Sequence, residues 1–109
     1  MSNSIILYEL KTAELKVTIT ATLSDDGSLL VEGYDVGKTV KRLKGSIDYE
    51  YSLKVETTDL PQLLVALQLQ DAKGLLAVLQ ERFNNNYAFS SLRSFLDEKG
   101  IEYSQFFWN

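Results

Sequence analysis

Asp48 and Glu50 are the first residues in this chain that could do chemistry together, because they stand two apart in the alternating run IDYEYSLKVE, Ile47 to Glu56. An extended backbone puts two such carboxylates on one face, about 7 Å apart, within the range over which paired acids share general acid–base work. The same alternation has a plainer account: the wet face of a half-buried strand carries charge whether or not it reacts. The plainer account is preferred, since alternating charge is expected there in any case.

The chain contains no cysteine and no histidine. Thiol catalysis, disulfides and thiolate metal sites are thereby excluded, and the commonest general base and metal ligand is missing. Carboxylates, lysine, tyrosine and serine are what remain for catalysis. GYDVGKT, Gly33 to Thr39, has a glycine turn and a Gly-Lys-Thr step like those of a phosphate-binding loop. Only three residues separate its glycines, however, where the amide cradle needs four, and Asp35 would set a carboxylate among the phosphates. Asp25, Asp26 and Ser28 lack the spaced ligands and terminal bidentate glutamate of a calcium loop. No enzyme activity, cofactor or metal is expected.

Fifteen acidic against eleven basic residues leave a net charge of −4 and a pI near 4.7. Nucleic acid and anionic membrane surfaces repel such a chain at long range. Lys38, Lys41, Arg42 and Lys44 form the one basic cluster, but no aromatic residue is interleaved for base stacking, so it reads as a solvated face. The apolar run Ile5 to Leu7 is too short for a signal core or a membrane span, which with the absence of cysteine gives a cytoplasmic expectation.

These side chains are positioned by elements whose periodicity is legible. Leu15, Val17, Ile19, Ala21 and Leu23 alternate with Lys16 and three threonines, and Leu29 to Tyr34 returns after the Asp-Gly turn as an antiparallel partner. Ser4 to Leu10 is apolar on both sides and suits a strand buried on both faces or capped by neighbours. YDVGKTVKRLKG breaks both periods and reads as a loop with one helical turn. After the DYEY strand, Thr57, Thr58 and Asp59 are candidate N-caps for a helix that starts near Leu60 with Pro61 in its first turn and runs to about Leu69. A second helix carries Leu75, Leu76, Val78, Leu79 and Phe83. A third runs from about Ala88 and ends at Lys99 and Gly100. IEYSQFFWN closes the chain as a last strand. Phe106, Phe107 and Trp108 are consecutive and cannot all share one face, so at least one points away from the local core; core packing on both sides of that strand is preferred over an exposed patch for a partner.

In order, SDDGSLLVEGYDVG, GSIDYEYSLKV, DLPQLLVALQ, LLAVLQERF and SSLRSFLDEKGIEYSQFFW resemble a family of small uncharacterised bacterial proteins with a DG turn, a G-x-D-x-G loop, an acid-Y-E-Y strand and an aromatic terminus. The resemblance spans residues 25–108. Proteins of that kind have no established activity. Some proteins of that kind look like immunity proteins, small acidic domains that block a bacterial toxin by binding it.

The expectation is therefore one α+β domain over residues 1–109: an antiparallel sheet of four or five strands with three helices on one face, in the order ββββαααβ. Its function is expected to be non-enzymatic protein binding, with Asp26, Asp35, Asp48 and Glu50 meeting a basic partner such as a toxin domain. The alternative, from a different class, is a structural protein that self-associates as a homodimer through its last strand or aromatic patch.

Overall fold

The computed structural model describes residues 3–45 and 48–108. Ile47, which opens the alternating run, lies outside them, as do the side chains of Lys44 and Trp108. Strands β1 (Asn3–Lys11), β2 (Lys16–Leu23), β3 (Leu29–Val36), β4 (Asp48–Val55) and β5 (Ser104–Trp108) form one sheet in the order β1-β2-β3-β4-β5, with every neighbouring pair antiparallel. Helix α1 (Lys38–Lys44) lies between β3 and β4; α2 (Leu60–Ala66), α3 (Leu75–Arg82) and α4 (Ala88–Glu98) lie between β4 and β5. The architecture is the α+β sheet with three helices on one face that the sequence implies, with one helix added.

The added helix is α1, which extends the one helical turn expected within this loop to seven residues. Its seven residues gain one buried anchor, Val40, and the Thr39 amide donates to the Glu14 carbonyl of the β1–β2 turn at 3.2 Å. Leu43, the other apolar residue of α1, stays 76% exposed, so Val40 alone anchors the helix.

Period-two patterning explains β2, β3 and β4. Ile19, Ala21, Val31 and Leu53 point to one side, where Leu63, Leu75, Leu79, Leu92 and Leu96 of the helical layer close over them. Strand β1 is not buried on both faces. A β-bulge between Ile6 and Tyr8 resets its register, so that Ile5, Tyr8 and Leu10 pair with the inward Ala21, Ile19 and Val17, while Ile6 is left 48% exposed. The extra residue converts two apolar stripes into one.

The C-terminal aromatics also depart from expectation. β5 is an edge strand, and Phe106 and Phe107 are 57% and 46% exposed rather than packed on both sides. The core aromatics of the last third are Phe83 and Phe89. With its sheet covered by helices on one side only, the protein exposes 6647 Å², somewhat above the roughly 6,000 Å² expected for its mass.

Candidate functional site

Alternation along β3 and β4 divides their polar and aromatic residues into two sets. Facing the helices are Gly33 and Asp35 on β3, paired with Tyr51 and Tyr49 on β4. Gly33 is buried beneath the Tyr51 ring, and a Cβ there would overlap the ring atoms. The missing side chain thus makes room for a cross-strand aromatic, the arrangement by which a large ring covers a strand glycine. The ring reaches past Gly33 so that the Tyr51 hydroxyl donates to Asp35 Oδ1 at 2.9 Å, and its other side meets Phe89 of α4 edge-on at 4.8 Å. Burial first, and then the Asp35 carboxylate, push the Tyr51 hydroxyl well above the usual tyrosine range. Tyr49 packs beside Tyr51 and against Phe107, with ring centroids 5.4 and 6.4 Å away.

The second set faces away from α2, α3 and α4. Pairing across the sheet puts Glu32 beside Ser52, which neighbours Phe106, and puts Tyr34 beside Glu50, which neighbours Trp108. Asp48 is the next outward position beyond Glu50, and the Tyr34 hydroxyl donates to its Oδ2 at 3.2 Å. Partial desolvation first, and then that carboxylate, hold the Tyr34 hydroxyl above its ordinary range. Glu32, Tyr34, Glu50 and Ser52 line a shallow cavity of about 190 Å³ between the strands. Drug-sized ligands need roughly 300 Å³ or more, so this space suits one small group such as an ammonium or guanidinium.

Electrostatics reinforce that reading. Among the described residues no lysine or arginine lies within ion-pair reach of Glu32, Asp48 or Glu50, while Lys54, the nearest outward cation on β4, is held by Glu56 at 3.1 Å. Ser52 is only 7% exposed, and its side chain has no hydrogen-bond partner among the described residues. The trough therefore offers two carboxylates and a hydroxyl as acceptors, with the exposed Tyr34 ring as a wall.

The four acidic residues singled out from the sequence do not form one surface. Asp26 sits in the β2–β3 turn at the far end of β3, where the amide and hydroxyl of Ser28 donate to its Oδ1 at 2.9 and 2.6 Å. The Ser28 hydroxyl is the main reason its carboxyl is held below the usual range. Asp35 faces the helices and serves Tyr51. Asp48 and Glu50 do share the outward face, and the structure adds Glu32, Tyr34, Ser52 and Phe106, which single-strand reading missed. Their signal lay in the pairing of β3 with β4, since Glu32 and Tyr34 alternate with the inward Val31, Gly33 and Asp35.

Lys38, Lys41 and Arg42 are exposed on or near the solvent side of α1, with Arg42 donating weakly to the Thr39 hydroxyl at 3.4 Å. No cluster of potential metal ligands occurs among the described residues, and none of the described helices is long and apolar enough to cross a membrane. No protein family, curated protein or solved structure matches the chain.

Proposed function

We propose that this chain is a non-enzymatic binding protein that meets a basic protein partner across the outward face of its sheet, at Glu32, Tyr34, Asp48 and Glu50. The observation that carries the reading is the pair of carboxylates, Glu32 and Glu50, flanking a cavity of one side-chain head group with no cation among the described residues paired to either. An arginine or lysine from the partner would enter the trough, donate hydrogen bonds to the two carboxylates and the Ser52 hydroxyl oxygen, and lie against the Tyr34 ring. Phe106 extends the surface with apolar area of the kind that anchors interfaces. A net charge of −4 would speed encounter with a cationic partner and exclude acidic competitors. Masking a basic toxin surface is the role that fits both this chemistry and the resemblance in the sequence.

A pull-down from the native host at low and moderate salt, with the wild-type chain and Glu32→Lys/Glu50→Lys as parallel baits, tests the proposal. The expected result is a basic protein retained by the first bait and lost from the second. Recovery of no partner by the wild-type chain, or equal recovery by both baits, would overturn it. Neither glutamate has an ion-pair partner among the described residues, so the variant should unfold within about 0.5 kcal/mol of wild type, and lost binding would not reflect lost folding.

A further inference from the structure

The two edges of the sheet are treated very differently. β1 carries the guards that keep an edge from pairing with another chain: the bulge between Ile6 and Tyr8, the charged Glu9 and Lys11, and a cap in which the Gln80 side-chain amide donates to the Ile6 carbonyl at 3.1 Å. β5 has none of these. Its sequence SQFFW contains no charge and no proline, its pairing with β4 runs without a register shift, and Ser104 to Phe107 are all exposed. An unguarded edge that carries two half-exposed phenylalanines is a template for strand addition.

We propose that β5 pairs antiparallel with β5 of a second copy of this chain, joining the two sheets into one of ten strands. Strand pairing about a two-fold axis requires one residue to face itself, because hydrogen-bonded and non-hydrogen-bonded pairs alternate along the ladder. The axis falls at Phe106. This choice uses all five residues of β5 and sets Phe106 against Phe106, Gln105 against Phe107 and Ser104 against Trp108. At low salt, charge favours the same register. Lys54 is the β4 neighbour of Ser104 and Glu50 that of Trp108, so each row across the seam runs from Lys54 of one copy to Glu50 of the other. Moving the axis to Gln105 would bring Glu102 into the row of Glu50, and moving it to Phe107 would lose the opposite-charge rows. Three strand spacings, about 14 Å, separate each Lys54 from the facing Glu50, and Lys54 also pairs with Glu56 at 3.1 Å, so these charges bias the register only at low salt while the ladder and the phenylalanines hold the pair.

Two measurements test the dimer independently of any basic partner. In sedimentation or light scattering the wild-type chain should show twice its 12.3 kDa mass at tens of micromolar. It should associate more tightly as salt screens the repulsion between two copies of charge −4. Phe106→Lys, which sets like charges against each other at the axis, should weaken association about a hundredfold or more while leaving the unfolding midpoint of the monomer in place. The absence of native cysteine gives the register its own assay. Phe106→Cys should form an intermolecular disulfide on mild oxidation, since facing Cα atoms in a ladder lie about 4.5–5.5 Å apart, and Gln105→Cys should not. A wild-type monomer at hundreds of micromolar would overturn the proposal, as would equal cross-linking of the two cysteine variants. A monomer whose β5 instead takes up an unrelated extended peptide would also overturn it.

Discussion

Gly33→Ala is the most searching perturbation of the fold, because a single methyl collides with the Tyr51 ring that organises the centre of the sheet. Gly33 does not hold a left-handed backbone conformation, so alanine on its own would stabilise the strand by about 0.5–1 kcal/mol through the unfolded state. Against this, overpacking costs about 1–3 kcal/mol. A displaced ring also loses its edge-on contact with Phe89, worth about 0.5–1.5 kcal/mol, and its hydrogen bond to Asp35, worth about 1 kcal/mol. The net expectation is about 2–4 kcal/mol of destabilisation, or roughly 10–20 °C in Tm for a domain of this size. Urea titration followed by circular dichroism measures it, and the same substitution in a Tyr51→Ala background isolates the cause. With the ring gone the methyl enters vacated space, so the cost should vanish. A neutral Gly33→Ala, or an equal cost in both backgrounds, would refute the packing argument.

Tyr51→Phe should cost about 1–2 kcal/mol at neutral pH and should also flatten the alkaline limb of stability. The folded Tyr51 hydroxyl titrates above its ordinary value of 10.0, so its contribution is complete below about pH 10 and is lost as pH rises beyond it; thermal melts of both proteins from pH 8 to 12 should converge if this is right. Ser28→Ala removes the main cause of the depressed Asp26 carboxyl, whose stabilising effect is lost as pH falls through its folded value. Carboxyl NMR titration should find Asp26 shifted upward toward its ordinary range, and an unmoved titration would refute the assignment. Gln68 ends α2 at a φ of 61°, a left-handed conformation costly to a side chain, so Gln68→Gly should raise stability by about 0.5–1 kcal/mol in the same urea assay. A loss of stability there would mean that the glutamine side chain contributes contacts larger than that strain.

Strands β2 and β4 were legible because each keeps one apolar side without interruption, β3 because Leu29 and Val31 return after the Asp-Gly turn, and α4 because its stripe ends at Gly100, which takes the positive φ of 68° expected of a C′ glycine. What escaped the sequence was set by tertiary neighbours. The bulge in β1 is invisible in a run whose residues are apolar on both parities. The exposure of Phe106 and Phe107 follows from the place of β5 at the sheet margin, which composition cannot disclose, since three consecutive aromatics read as core wherever they lie. α1 depends on one buried valine and a contact to the β1–β2 turn. In the candidate site, the pairing of Asp48 with Glu50 was readable from β4 alone. The separation of Asp35 from them was also implicit, because Asp35 shares its parity with the inward Leu29 and Val31.

That parity divides the labour within the two conspicuous motifs. In EGYD and DYEY, the inward residues Gly33, Asp35, Tyr49 and Tyr51 form one packing device, in which the glycine exists for the ring and the aspartate for its hydroxyl. The likeness of Gly33 and Asp35 to part of a phosphate loop thus has a packing explanation. The outward residues Glu32, Tyr34, Asp48 and Glu50 occupy the same eight positions but contribute little to the core, and only Tyr34 and Asp48 bond to one another. Substitutions in the first set should therefore change stability whatever the partner, while substitutions in the second should change binding at nearly constant stability. Interleaved at single-residue spacing, the two sets make this stretch a direct test of whether the outward face carries the function. If outward variants lowered stability as much as inward ones, the face would be structural and the binding surface would have to lie elsewhere.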